Sequence, residues 1–172
     1  LKQRNVSFQF AQQVDVTSLN LQQSFDYIID CRGLGAKSAA CKLRGVRGEV
    51  VRLYAPEVNL TRPVRLMHPR YPIYIAPKPN HQYVIGATEI ESQDKGAATV
   101  RSTLELLSAA YTVHSGFAEA RVLNIQTGLR PAFGDNRPQV SQQQNVISIN
   151  GLYRHGYLLA PSLVADAIAR IK

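Results

Sequence analysis

The chain has 172 residues, 45% of them hydrophobic and 19% charged, which suits one domain, or one domain with an appendage, around a buried core. No apolar run approaches the length that spans a bilayer, and the N-terminal residues are not typical of a signal peptide. The net charge of +8 would suit nucleic acid, but the basic residues form no run and no aromatic-interleaved patch, so nucleic acid is the minor alternative as a partner.

The cysteines and histidines do not predict a metal site. Cys31 and Cys41 are ten residues apart, and the four histidines (His68, His81, His114 and His155) complete no ligand motif. The simplest interpretation is two reduced thiols in a cytoplasmic protein, with a disulfide or a reactive cysteine left open. The chain does not begin with Met, so we interpret it as a fragment or a processed product.

The first third of the chain predicts extended structure and one glycine turn. Alternating residues over 6–16 predict a strand or hairpin, and residues 17–25 a loop. The apolar residues 27–29 predict a short buried strand, followed by a Gly33-x-Gly35 turn and a helix at 37–41. Such a unit presents backbone N–H groups to phosphates, but the full dinucleotide motif needs a third glycine where Ser38 stands. A tight turn at a domain edge is therefore the alternative.

The middle of the chain predicts an antiparallel sheet and one helix. Strands are expected at 45–54 and 64–68, followed by a hairpin of 71–77 and 82–86 around the turn 78–81. Thr99 is a plausible N-cap, and Leu104, Leu107 and Tyr111 would form the buried face of the next helix. Residues 118–126 return to an extended pattern, with Val122 and Ile125 as core positions.

The C-terminal third predicts two more strands and a last helix. Strands are expected at 139–140 and 146–149, and Pro161 suits the first position of a helix with apolar residues at 163, 164, 167, 168 and 171. Strands, a helix, more strands and a helix predict an α+β fold, with a mixed, mainly antiparallel β-sheet and helices packed on one face.

Two arginines beside glycines stand out between residues 127 and 161. Arg130 follows Gly128-Leu129, and Arg154 lies within Gly151–Gly156, both on predicted turns. Arginine binds a carboxylate or phosphate through two parallel hydrogen bonds, and a nearby glycine allows close backbone approach. The pattern predicts two turns that hold an anion; the alternative is two surface arginines in ordinary loops.

These segments resemble the D-amino-acid oxidase family of FAD-dependent oxidoreductases, and within it the glycine oxidases of thiamine biosynthesis. The resemblance runs from about residue 26 to the C-terminus. Its markers occur in the family's order at residues 26–38, 46–49, 74–77 with 84–88, 128–131 and 151–161. One such match would be weak, but five in order at similar spacing are a strong signal.

The resemblance implies an FAD-dependent enzyme that oxidises the amine of glycine or a related small amino acid to an imine. Arg130 would bind the α-carboxylate, Tyr74 would offer its hydroxyl to the same group, and Arg154 would approach the substrate. The residues implied to contact FAD are Gly33, Gly35, Gly151, Leu152, Tyr153, Arg154, His155, Gly156, Tyr157 and Leu158. No general acid or base is implied, and a homo-oligomer and a thiazole-biosynthesis partner would follow.

The same resemblance implies a division of the chain. Residues 1–45 would be a remnant of the FAD-binding domain, 46–130 the substrate-binding domain, and 131–172 a return to the FAD-binding domain with a C-terminal helix.

The chain departs from the family pattern in three places. Glu89 stands where glycine oxidase has an apolar Met, so it would contact a cationic part of a larger substrate or face water. Lys78 stands in place of an arginine after the proline of the hairpin. The N-terminal dinucleotide motif of the family is missing from the chain.

Three other functions stay open at this point. The chain would also suit the flavin-dependent part of a tRNA wobble-uridine modification protein, whose tRNA binding would be salt-sensitive. A D-amino-acid dehydrogenase is the second alternative. The third belongs to another class: a non-catalytic domain that binds a partner or a small acid without flavin.

Overall fold

The computed structural model describes residues 6–36 and 42–171, in which the strands form two separate sheets. The larger sheet has five antiparallel strands in the order β3-β4-β5-β2-β6. They are β2 (Arg44–Tyr54), β3 (Val64–Leu66), β4 (Ile73–Lys78), β5 (Gln82–Gly86) and β6 (Arg121–Ala132). Helix α2 (Val100–Val113) packs on one face of this sheet.

The core of the larger sheet lies between its strands and α2. Val51, Leu53, Ile75, Ile85 and Leu106 are all at most 1% exposed and belong to one cluster. Alternate residues of β4 show the two faces of the sheet, since Ile73 and Ile75 are buried while Tyr74 is exposed. The opposite face from α2 is therefore open, and it carries Tyr74.

The smaller sheet has three strands in the order β1-β8-β7. Strand β1 (Ile28–Asp30) runs parallel to β8 (Val146–Asn150), which pairs antiparallel with β7 (Gln139–Gln143). Helix α3 (Gly156–Ile168) covers one face, where Ala167 packs against Ile147 and Ile149. A short helix, α1 (Leu19–Gln23), precedes β1 in the segment that was expected to be a loop.

The α+β prediction is confirmed, as are the 73–86 hairpin, the strands at 139–143 and 146–150, and the start of α2. Thr99 caps α2, because its side chain accepts a hydrogen bond from the Ser102 N–H. The strands divide into two sheets, however, because β1, β7 and β8 pair with one another and not with the rest.

Some local predictions were wrong. Residues 6–16 form no strand, and Val122 is half exposed on the outer half of β6. Helix α3 begins at Gly156, so that Pro161 lies inside it at a position where the first-turn geometry no longer applies. The expected helix at 37–41 lies outside the described residues.

The buried face of α2 was assigned correctly in part, since Leu107 packs against the core as expected. Leu104 and Tyr111 are more than half exposed, and the sheet instead buries Ser102, Leu106, Ala109 and Ala110. The small residues allow the helix to approach the strands closely. Apolar spacing alone favoured larger residues, and two of these, Leu104 and Tyr111, lie on the outer side of the helix.

Candidate functional site

Arg130 lies on a strand rather than on the predicted turn. It is in β6, directly opposite Val46 of β2, and its Nη1 donates hydrogen bonds to the backbone oxygens of Thr88 (3.1 Å) and Arg47 (3.4 Å). The guanidinium lies over Gly48, where a Cβ atom would be 2.3 Å from both Nη atoms. Gly48 therefore leaves the space that the guanidinium occupies, and two carbonyls hold it there.

Arg130 also differs from the other arginines in its environment. Among the residues that the structure describes, Arg32, Arg44, Arg47 and Arg154 pair with carboxylates, whereas Arg130 does not. Among the described arginines without a carboxylate partner, Arg130 alone is partly buried. The others are exposed: Arg52, Arg62, Arg65, Arg70, Arg101, Arg121, Arg137 and Arg170. A partly desolvated cation without a counter-ion favours binding of an anion, which makes Arg130 a candidate anion-binding residue.

Tyr74 lies on the same face of the sheet as Arg130. In the strand register, Tyr74 of β4 is opposite Gly86 of β5, which is itself opposite Val50 of β2. A Cβ atom at Gly86 would be 2.7 Å from the Tyr74 hydroxyl and 2.8 Å from Cζ, so the ring lies directly over this glycine. Gly48 and Gly86 thus leave room on this face for the side chains of Arg130 and Tyr74.

A buried ion pair behind this face positions the loop that supports Arg130. Arg47 and Glu49 of β2 are 2% and 0% exposed, and Arg47 Nη2 is 2.7 Å from Glu49 Oε1. Arg47 also donates to the backbone oxygens of Asp94 (2.8 Å) and Ala97 (2.6 Å). Arg47 therefore holds residues 94–97. Thr88, whose carbonyl accepts from Arg130, is held by Glu49: the Thr88 N–H donates to the Glu49 backbone oxygen (3.2 Å), and the Glu49 N–H donates to Thr88 Oγ1 (2.9 Å).

Glu49 also binds the first turn of α2. Burial raises the pKa of this carboxyl, but the hydrogen bonds from Ser102, Arg47 and the Thr99 N–H, together with the Arg47 charge, lower it below its ordinary value. Sequence reasoning missed this pair, although two charged residues at i and i+2 in an apolar strand were a detectable signal.

The loop after β8 meets the end of β6 next to Arg130. The Tyr153 N–H donates to the Pro131 oxygen (3.1 Å), and Gly151 has a φ of +74° and a position where a Cβ would overlap Phe133. The Tyr153 hydroxyl and an Arg154 Nη1 both donate to the Glu89 carboxylate. Burial, followed by the Glu89 hydrogen bond and charge, raises the pKa of Tyr153 to about 12, against opposing effects of the Arg154 and Arg130 charges.

Glu89 is therefore engaged within the chain. It is the partner of Arg154 and Tyr153, and it lies one residue after the carbonyl that accepts from Arg130. The structure brings Glu89, Arg154 and Tyr153 together with Arg130 nearby, while Tyr74 lies across the sheet face on β4.

The residues predicted to contact FAD lie in two segments of the chain, the turn after β1 and the loop after β8 that leads into α3. Asn150, which the sequence did not single out, donates from Nδ2 to the Gly33 oxygen (2.9 Å), so the turn after β1 and the loop after β8 are tied together. Gly33 and Gly35 lie in that turn, a 3₁₀ helix, and Leu152 packs on the small sheet. His155, Tyr157 and Leu158 are exposed, and Gly156 begins α3.

A large cavity adjoins the carboxyl ends of the parallel strands. Its volume is about 880 Å³, and its lining includes Asp30, Arg32, Gly35, Ser148 and Asn150. Arg32 donates to the Asp30 carboxylate and lowers its pKa, although burial acts in the opposite direction. Within residues 6–36 and 42–171, no group of His, Cys, Asp or Glu could hold a metal ion, and no helix is long and apolar enough to cross a membrane.

The sequence matches the family described as "FAD dependent oxidoreductase" (DAO) over residues 3–171. The chain belongs to this DAO family. It is 49% identical over 146 residues to a candidate thiamine biosynthesis oxidoreductase, ThiO, of Rhizobium etli, a match that covers 85% of this chain and 45% of that protein. It is 31% identical to the bifunctional protein ThiO/ThiG of a Nostoc species, which covers 73% of this chain and 20% of that protein.

A solved structure has the same fold as this DAO-family chain. Glycine oxidase from Bacillus cereus superposes with a TM-score of 0.69 at 26% identity, over 85% of this chain and 43% of the other. The chain thus spans less than half the length of these relatives.

The residues present fit part of an FAD site. In sheets with parallel strands, dinucleotides bind beyond the carboxyl ends of the strands, where glycine turns bring backbone N–H groups close to the phosphates. Here Gly33 (φ +58°) and Gly151 (φ +74°) follow β1 and β8, and Asn150 connects them beside the cavity. The Gly-x-Gly-x-x-Gly motif is not in this chain, so these residues would supply one side of the site.

Proposed function

We propose that this chain is part of an FAD-dependent oxidoreductase that oxidises the amine of glycine or a related small amino acid to an imine, for thiamine biosynthesis, and that it contributes the substrate-binding domain together with some of the FAD-binding domain. The observation that carries the proposal is Arg130, a partly buried arginine that has two backbone acceptors but no carboxylate partner among the described residues. The 49% identity to the Rhizobium etli protein supports a role in thiamine biosynthesis, and the likeness to glycine oxidase of Bacillus cereus supports the substrate class.

In this proposal Arg130 and Tyr74 bind the carboxylate of the amino acid. The fork of Arg130 donates two parallel hydrogen bonds, and the Tyr74 hydroxyl donates to the same carboxylate, so the α-carbon is oriented away from the sheet. Bound FAD supplies a two-electron acceptor. The cationic Arg130 favours the neutral form of the amine by like-charge repulsion, which the oxidation requires. Water then hydrolyses the imine, or a biosynthetic partner uses it.

The two sheets support a division of labour along the chain. We propose that residues 46–130 bind the substrate, because they contribute most of the larger sheet with Tyr74 and Arg130. Residues 1–45 and 131–172 would contribute to the FAD-binding domain, since β1, β7, β8 and α3 come from them. The roles of Gly33, Gly35 and residues 151–158 as FAD contacts belong to the same proposal.

The partners and the location are also proposals. The ThiO/ThiG relative combines two functions in one chain, which supports a thiazole-biosynthesis partner for this protein. A homo-oligomer and a cytoplasmic location would be in keeping with a small-molecule biosynthetic enzyme.

The test is the visible absorption spectrum of the protein at its natural length, saturated with FAD and kept without oxygen. We expect the oxidised flavin band to bleach when glycine or sarcosine is added, and the bleaching to slow when Arg130 is replaced by Ala. A flavin that stays oxidised with glycine, sarcosine and other small amino acids would contradict the proposed function, whereas salt-sensitive tRNA binding would favour the tRNA-modifying alternative.

A further inference from the structure

We infer that Glu89 excludes dicarboxylic amino acids from the site because it occupies Arg154, which would otherwise bind a second carboxylate. This inference rests on the proposed function and names a specificity determinant for it. Glu89 Oε2 accepts from Arg154 Nη1, and Glu89 Oε1 accepts from the Tyr153 hydroxyl. Both carboxylate oxygens are therefore engaged by one loop, and the arginine is already neutralised.

Arg130 and Arg154 are both close enough to Tyr153 for their charges to act against the rise in the pKa of its hydroxyl. Tyr153, which precedes Arg154 in the sequence, donates a hydrogen bond from its N–H to the backbone oxygen of Pro131, the residue after Arg130. The backbone oxygen of Thr88 accepts a hydrogen bond from Arg130, and Glu89 is the next residue after Thr88. Two cations thus lie on adjacent backbone segments, and one is left without a carboxylate partner among the described residues.

The charges decide which substrates fit this arrangement. An amino acid with one carboxylate needs Arg130 alone, and Glu89 stays paired. A second carboxylate on the substrate would meet Glu89 as a like charge and would have to displace it from Arg154. Because Glu89 is held in the same chain as Arg154, its local concentration exceeds that of a dissolved ligand. The pair therefore selects for small substrates with one carboxylate.

The test compares two acids that are not oxidised, glycolate with one carboxylate and malonate with two. Their dissociation constants are measured on the FAD-saturated protein of natural length from changes in the flavin spectrum and from thermal shifts. In the wild-type protein we expect malonate to bind at least about tenfold more weakly than glycolate, as for the loss of one charge-assisted hydrogen bond. Equal binding in the wild-type protein would overturn the inference, whatever the behaviour of the variants.

The decisive variant is Glu89→Gln, which keeps the shape of the side chain and removes its charge. We expect it to strengthen malonate binding by about tenfold relative to glycolate. The gain should vanish in Glu89→Gln/Arg154→Gln, because the acceptor of the second carboxylate is then absent. Glu91→Gln is the matched control: it removes the same charge two residues away, where the partner is Arg44, and should leave the ratio unchanged.

The remaining outcomes overturn the inference. An equal gain in Glu89→Gln and Glu91→Gln would show only a general effect of net charge, and a gain that persists without Arg154 would show only that space has opened. If Glu89→Gln does not fold, Glu89→Met provides an uncharged side chain of similar length. Failure of the proposed function would give a different result. The wild-type protein would then bind neither glycolate nor malonate, which would contradict the anion site at Arg130 itself.

Discussion

Gly48 of β2 lies directly beneath the guanidinium of Arg130 on β6, so close that a Cβ atom would be 2.3 Å from Nη1 and Nη2. The two residues are on neighbouring strands, and the glycine opposite Gly48 in the register is Gly128, where a Cβ would meet nothing within 4 Å. One glycine of this pair therefore makes room for the proposed anion-binding side chain, and the other does not.

This pair gives the first prediction. Gly48→Ala is expected to move the Arg130 guanidinium off its two carbonyl acceptors and to raise the KM for glycine by about tenfold, the effect of about 1.4 kcal/mol. The fold should be kept, because the displaced atoms are the end of a flexible side chain. Gly128→Ala is the control and should leave KM unchanged. The KM for glycine of both variants is measured by steady-state kinetics. Equal effects of the two substitutions on this KM would show that Gly48 does not act through Arg130.

The second prediction concerns the fork of Arg130. Arg130→Ala should weaken binding of the substrate carboxylate by on the order of 2–5 kcal/mol, because the charge-assisted pair is lost. Arg130→Lys keeps the charge but not the planar fork, so it should restore only part of the affinity. The measurement is the dissociation constant of glycolate for the FAD-bound protein. A lysine variant that binds like the wild type would show that charge alone is required.

The sequence predicted the strand hairpin and the cap at Thr99, because these depend on local patterns that the fold preserves. Arg130 was expected on a turn, since Gly128 and Pro131 normally mark turns. It is in a strand instead, because the long pairing of β6 with β2 overrides that local preference.

What the sequence did not show depends on contacts between distant residues. Glu89 was expected to contact a substrate or water, yet Arg154, 65 residues away, is its partner. The buried Arg47–Glu49 pair and the Asn150 link to Gly33 are likewise set by tertiary packing. The α2 face was assigned to large apolar residues, because the close approach of Ala109 and Ala110 to the sheet has no signature in apolar spacing.

The third prediction is the pH dependence of stability that Glu49 confers. Its folded pKa lies below the ordinary value of 4.5, so the stability it contributes is present above that value and is lost as the pH falls through the lower folded pKa. At pH 7, Glu49→Gln leaves Arg47 buried without its partner and should cost about 3–5 kcal/mol of unfolding free energy.

Urea unfolding of the wild type and Glu49→Gln, at pH 7 and at several values below 4.5, checks this prediction. The difference between the two proteins should shrink as the pH falls. Glu119→Gln, on the exposed turn before β6, is the control and should change little at any pH. A difference that does not change with pH would show that Glu49 acts through packing rather than through its charge.

The last prediction concerns the loop that carries Tyr153 and Arg154. Gly151 has a φ of +74°, and a Cβ there would be 2.3 Å from Phe133 Cδ2, so Gly151→Ala adds both backbone strain and overlap with a ring. Strain of this kind costs about 1–3 kcal/mol, and we expect the loop to move away from Pro131. Gly134→Ala, on the exposed turn after β6, is the control: a Cβ there would meet nothing within 4 Å, so it should change neither stability nor FAD affinity. Thermal unfolding and the FAD dissociation constant of both variants are the measurements. A loss of stability and of FAD affinity in Gly151→Ala alone would fit a loop that is held in place for the flavin. Unchanged FAD binding in Gly151→Ala would remove this loop from the proposed FAD site.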